Sequence, residues 1–405
     1  MDSTAEPPLR IGDWSRTESF RWVFVLTMDC SITPGHALYT FTYSSYRSFM
    51  KHTRVGLLEH IEEVATRGVT IISPLHGTGV YLIGMKGEVL HQWATSMAPG
   101  NYARLLPNGN LLWSGQTSEG PKPGGGKGGL IREFDWEGNI VWEHRDDAQH
   151  HDFRRLANGN TLYIGWEEMP PDTAKRVVGA EAGSEAEGGT IWGDYLREVN
   201  SAGETVWEWH TYSDLEIELH PLHIMSTRKE FAHCNSCAEL PDGNLLLSFR
   251  KNSTLMIVDK ETKKVKWYKR NDEWGQQHDA EMLSNGNILF FANGINVPRG
   301  IYHSRVIELN PKSGEEVWIY QGSPSWSFFS PNISGCQRLP SGNTLICEGL
   351  NGRIFEVMPD GQIVWDYISP WFGNRHPTGR SNAVFRAYRY DASSPEIAGR
   401  ISLIL

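Results

Sequence analysis

The chain has 405 residues, an acidic balance with a formal net charge of −10, and five cysteines. The acidity argues against a nucleic-acid partner, which calls for a basic face, and an odd number of cysteines does not make a disulfide framework. By length alone, roughly one to three domains fit.

Residues 1–65 carry no repeat and read as a leader, in which Val55–Thr66 is expected as a short helix. The apolar run Val23–Met28 is too short to span a membrane, and no early basic and apolar pair marks a secretory signal. A cytoplasmic protein without a membrane span is therefore expected.

From residue 66 to 392 the chain repeats. A turn of the form Pro/Ala/Ser-Asn/Asp/Ser-Gly-Asn recurs at 107–110, 157–160, 241–244, 284–287 and 340–343, each between two short alternating runs. That pattern signals a β-hairpin. A second signature is an apolar run closing on tryptophan: Trp93, Trp142, Trp207, Trp267, Trp318 and Trp365. Their spacing, roughly 47 to 65 residues, suggests six units of about four antiparallel strands, which fits a β-propeller and not a helical solenoid. The unit ending at Trp93 has no Gly-Asn hairpin, and Asn382–Arg389 reads as an inner strand without a partner; pairing the two latches the ring. The expected fold is all-β: a six-bladed β-propeller, with a short N-terminal leader, a C-terminal strand closing the first blade, and a tail at 393–405.

Several stretches invite other readings. The glycine-rich run at 121–129 lacks the Gly-Lys-Ser/Thr ending of a phosphate loop, so a flexible inter-strand loop is expected, and no cofactor. Ala174–Gly189 is expected as another long loop, inserted in the third blade and placed to rim a site. Cys234 and Cys237 fall on opposite faces of a strand. Cys336 and Cys347 flank their turn symmetrically and are expected as cross-strand neighbours, reduced, because a direct cross-strand disulfide is geometrically demanding.

The five hairpins share one register when aligned on their turns. Six residues before each turn stand Asn101, His151, Asn235, His278 and Ser334, so innermost strands along a central channel would carry them as a ring at one mouth, with Asn101 and Ser334 as substrate-binding candidates beside Asn235. His233 lies two residues before Asn235 and by alternation shares its face; Arg250 returns to the same end. The candidate cluster is His151, His233, Asn235, Arg250 and His278. His144, His150, His220, His223 and His303 lack this register and read as packing or turn residues. Asp152 and Asp279 follow their histidines, so alternation turns them away, to orient the histidines or bridge blades. Trp166, Trp192, Trp326, Phe328 and Phe329 lie in or beside loops at the same end and suit either an aryl ring or blade packing; Trp326 is the candidate for substrate stacking.

Several histidines and one arginine, with no carboxylate committed to the mouth, make a donor-rich pocket for an oxyanion. A neutral histidine can serve as a nucleophile that divides a group transfer into two steps, while others carry protons near neutral pH. The residues alone leave sulfuryl and phosphoryl transfer open.

The motifs Gln277-His278-Asp279-Ala280, Ala232-His233-Cys234-Asn235-Ser236 with Arg250 downstream, and His150-His151-Asp152 together resemble the arylsulfotransferase family. The similarity runs over roughly residues 68–390 and includes Arg104–Asn110 and Phe329-Ser330-Pro331. The resemblance implies a six-bladed propeller that moves a sulfuryl group from an aryl sulfate donor to a phenolic acceptor without the nucleotide donor PAPS. It further implies that His278 is the nucleophile, that His151 and His233 hold the sulfuryl group and assist proton transfer, and that Asn235 and Arg250 bind its oxygens. Exported members carry an additional N-terminal β-domain and a disulfide near the catalytic histidine. Here no cysteine lies between Cys237 and Cys336, so neither export, dimerisation nor redox maturation is carried over. Two rival readings stand beside this one: a metal-dependent lyase or hydrolase built on the three histidines, and a non-catalytic propeller that would tolerate His278→Ala.

Overall fold

In the computed structural model, residues 54–375 and 379–401 are described. The first 53 residues of the expected leader, with Val23–Met28 and Cys30, lie outside them. The chain forms six antiparallel blades. The second to fifth run in chain order, with inner strands Pro99–Leu105, Gln149–Arg155, Cys234–Glu239 and His278–Met282. The sixth begins at Gly335–Arg338. In the first, Gly68–Pro74 pairs with the C-terminal strand Val384–Asp391, which supplies the missing inner strand and closes the ring.

The hairpin turns form as their glycines require. In each, the glycine amide donates to the carbonyl of the leucine that opens the turn, as in Gly109 to Leu106 (2.7 Å) and Gly243 to Leu240 (2.8 Å). Both glycines sit near φ +80°, which a side chain would strain. The following asparagine is used too: Asn110, Asn160, Asn287 and Asn343 donate to Glu133, Glu198, Glu308 and Glu356 on the third strand of their own blades.

The six tryptophans explain why the repeat closes. Each indole N–H donates to a carbonyl in the outer turn of the next blade: Trp93 to Asp135, Trp142 to Ser201, Trp207 to Lys260, Trp267 to Pro311, Trp318 to Pro359, and Trp365 across the seam to Met85. Apolar side chains fill the space between neighbouring blades. Trp209, Leu247 and Phe249, for example, lie between the third and fourth, and Phe290 and Trp274 between the fourth and fifth.

Three expectations change. Residues 56–60 are not helical: Gly56–His60 pairs with Ile363–Ile368 as a fifth, outermost strand of the sixth blade, because its backbone groups find an open edge there. The 174–189 insertion is partly ordered, with Gly179–Glu181 running parallel to Leu222–Thr227. Cys336 faces Ile346 while Cys347 faces Gly335, so the two cysteines are one residue out of register. Cys234, Cys237, Cys336 and Cys347 are all free and buried, and burial pushes every one of these thiols up, away from reactivity. Among the described residues no helix is long and apolar enough to cross a membrane.

Candidate functional site

The inner strands do not enter the channel mouth as regular ladders. Five of the six bulge there, at Gly100–Tyr102, His151–Asp152, Asn235, Asp279–Ala280 and Phe385–Arg386. His151, His233 and Asp279 also have positive φ (52°, 60° and 53°). Bulges re-aim side chains and are common beside active sites. Here they let a histidine and the aspartate after it both point inward, which alternation forbids.

His278 is buried, and its Nδ1 is 2.7 Å from the Asn293 Oδ1. The Asn293 amide N–H groups are both spent, on the carbonyls of Ser330 (2.8 Å) and Ile333 (2.9 Å). Asn293 therefore only accepts from His278, which places the ring proton on Nδ1 and leaves a lone pair on Nε2. Burial, and then the Arg250 charge, hold the His278 pKa well below the usual value. Arg250 is half-buried, and among the described residues nothing hydrogen-bonds or ion-pairs with its guanidinium. A neutral nucleophile thus stands beside an uncommitted cation.

His151 and His233 meet Nε2 to Nε2 at 3.1 Å. The Phe385 ring lies 6.1 Å from that of His151 and 6.4 Å from that of His278, so a residue of the C-terminal strand floors the space between them. The expectation of a mouth without carboxylates is overturned. Glu230, 2% exposed, accepts from His233 Nδ1 (2.9 Å) and from the Trp166 indole (2.9 Å), and lies 3.3 Å from the Lys251 ammonium. His150 is no packing residue: its Nδ1 is 2.7 Å from His151 Nδ1, and its Nε2 faces the Asp194 Oδ1 at 3.3 Å. Trp166 stacks on His150 at 4.1 Å, so it braces this group and is not open to an aryl ring.

The glycine-rich run is packed over the site, contrary to the flexible loop expected. The Gly126 carbonyl accepts from the His151 amide (2.8 Å) and from Asn101 (2.9 Å). A Cβ at Gly126 would fall on the His151 imidazole, and one at Gly124 on the Glu230 carboxylate. Gly126→Ala should therefore displace His151 and cost about 10²-fold in turnover, the scale of a 1 Å misplacement; Gly126 also sits at φ +89°, where a side chain is strained, so the melting temperature should fall too, and steady-state rates on protein that a thermal melt shows to be folded check it.

The remaining candidates are less direct. Asn235, expected to bind anion oxygens, is wholly buried and donates one of its two amide N–H groups to the Gln277 carbonyl (2.8 Å). Asn101 likewise donates to the Gly126 and His151 carbonyls, and buried Ser334 accepts from the Gly349 amide (3.0 Å). These three fix the inner strands. Trp326 is 62% exposed in the Ser325–Ser327 turn, while Phe328 is packed between blades against Phe291, Tyr320 and Phe355.

Asp152 and Asp279 bridge blades, as one of the two expected roles required. Asp152 accepts from the Cys237 amide (2.9 Å) and Asp279 from the Cys336 amide (3.2 Å). Fully buried Arg386 reaches both, at 3.1 and 3.2 Å. With Arg154, Tyr102 and Tyr388 they fill the channel beside the histidines.

The buried histidines set a pH dependence. Burial lowers the pKa of His151, His233 and His278, and also of His91, His144, His220 and His223; His210, raised chiefly by Glu167, opposes them. Below the unfolded pKa of about 6.5, the unfolded chain binds protons that the folded chain refuses, so stability falls as pH drops from there. Each such buried site contributes at most about 1.4 kcal/mol per pH unit. Denaturant titrations at pH 7.5 and 5.5 should show the loss, with a shallower slope in His278→Gln.

Among the described residues, no three His, Cys, Asp or Glu side chains are arranged to hold a metal ion. No curated protein matches the sequence. Among solved structures, a protein of unknown function from Bacteroides caccae is 13% identical, covering 75% of this chain and 94% of its own, with TM-score 0.49. A streptogramin B lyase is 10% identical over 83% and 93%, with TM-score 0.43, and virginiamycin B lyase from Staphylococcus aureus is 9% identical over 78% and 89%, with TM-score 0.42. Residues 102–370, well over half the chain, match the model of the family described as Arylsulfotransferase (ASST). That stretch holds every candidate of the cluster from His151 to His278 together with Asn293, and the chain belongs to the arylsulfotransferase family.

Proposed function

We propose that this protein moves a sulfuryl group from an aryl sulfate to a phenolic acceptor, without PAPS, through a sulfohistidine on His278. The observation that carries the reading is the uncommitted Arg250 guanidinium beside a neutral His278 whose Nε2 lone pair is held open by Asn293. Arginine presents a fork that matches two oxygens of a tetrahedral anion. In the first half-reaction Nε2 bonds to sulfur while the sulfur–aryl oxygen bond breaks. In the second, an acceptor phenol takes the sulfuryl group and restores the imidazole. Donor and acceptor are small molecules that use the same mouth in turn, which is ping-pong behaviour.

The test is intact mass after brief mixing with 4-nitrophenyl sulfate. A gain of one sulfuryl group, about 80 Da by formula, discharged by a second phenol, is the covalent intermediate expected. Release of nitrophenol without any adduct would point instead to direct hydrolysis. No release, with stoichiometric metal in the purified protein, would favour the lyase or hydrolase reading.

A further inference from the structure

The five groups around His151 form one continuous chain: Glu230, His233, His151, His150, Asp194. Every member is at most 5% exposed. Its contacts are 2.9, 3.1, 2.7 and 3.3 Å in that order. Four gaps separate the five groups, and each needs one N–H to be satisfied. Three neutral imidazoles supply only three. The open place is the His150–Asp194 contact, the longest of the four, where His150 Nε2 and Asp194 Oδ1 each lack a hydrogen bond. The chain therefore has room for one more proton; burial works against it on either ring alone, and Glu230 beside His233 and Asp194 beside His150 work for it, so the imidazolium is one shared along the whole chain. Lys251 also lies against Glu230, 3.3 Å away, so the carboxylate end carries its own counter-charge. Gly124 and Gly126 lie over Glu230 and His151, keeping bulk water from shorting the chain.

We propose that Glu230, His150 and Asp194 are positioning residues that make His151 and His233 a one-proton store for the transfer. The proposal rests on the sulfuryl-transfer reading. In the first half-reaction the electron pair of the breaking sulfur–oxygen bond goes to the aryl oxygen, which displaces one ring of the His151–His233 contact as acceptor and takes the proton held between their Nε2 atoms. In the second, the acceptor phenol returns a proton to the pair as its oxygen bonds to sulfur and the pair of the nitrogen–sulfur bond returns to His278 Nε2. The store ends each cycle as it began.

The test is single-turnover phenol release from a series of aryl sulfates with leaving-group pKa from about 7 (4-nitrophenol) to about 10 (phenol), in the wild type, in Glu230→Gln and in His150→Phe. His150→Phe keeps a ring against Trp166 and breaks the chain at a different place, so it serves if Glu230→Gln misfolds. A proton store matters most when the leaving oxygen is basic. Both variants should lose about 10²-fold with phenyl sulfate, in the usual range for proton-transfer assistance, and at most about a tenth of that loss with 4-nitrophenyl sulfate, so that the dependence on leaving-group pKa steepens. An equal loss across the series, or none, overturns the proposal while the adduct on His278 keeps the transfer reading intact. Absence of that adduct in the wild type overturns both.

Discussion

His278→Ala should abolish the covalent intermediate: mixed with 4-nitrophenyl sulfate it should gain no sulfuryl mass, and steady-state transfer should fall on the order of 10⁴-fold or more, as loss of a covalent nucleophile does elsewhere. The reason is specific to this ring. His151 and His233 turn their nitrogens on each other and on His150 and Glu230, whereas the Nε2 of His278 has its lone pair free because Asn293 holds the other nitrogen. Removing the ring leaves the buried Asn293 oxygen without a donor, which costs about 1–3 kcal/mol of stability, so the variant needs a melt beside the mass measurement. A folded variant that still acquires the adduct would move the nucleophile to another histidine.

Arg250→Ala should slow adduct formation by about 10²–10³-fold, the loss seen when one preorganised donor to a developing charge is removed. Arg250→Lys should recover only part of it, since an ammonium restores the charge without the fork. A second readout separates this role from a packing defect. The Arg250 charge is, after burial, the largest influence lowering the His278 pKa. Its removal should raise that pKa, and the acid limb of the rate of adduct formation should move to higher pH in Arg250→Ala while staying put in Arg250→Lys. A loss of rate with an unmoved acid limb would place Arg250 away from His278.

Much of the site was legible because the fold repeats. The Gly-Asn turns fix the register of each hairpin, and a residue six places before the turn reaches the same height in every blade. That logic found His151 and His278 in the sequence, and His233 beside them. It failed where the strands bulge. Alternation put Asn235 with His233, yet the bulge at Asn235 sends its amide to the Gln277 carbonyl of the next blade. Asn101 and Ser334 have the right register, and both meet neighbouring backbone: Asn101 donates to the Gly126 and His151 carbonyls, and the Ser334 Oγ accepts from the Gly349 amide. The missed groups had no register at all: Glu230 lies in the connection before the fourth blade, Asp194 in a third strand and Asn293 just past a second strand.

The sequence by itself determined the number of blades, the latch by the C-terminal strand and the histidines that line one mouth, because turn glycines, closing tryptophans and strand-end polar residues act locally and recur in phase. Only the tertiary structure decided which nitrogens are free. A histidine's tautomer depends on the partner across the channel, and those partners, Asn293, Glu230 and the His150–Asp194 pair, come from chain segments that no local periodicity ties to the rings they hold.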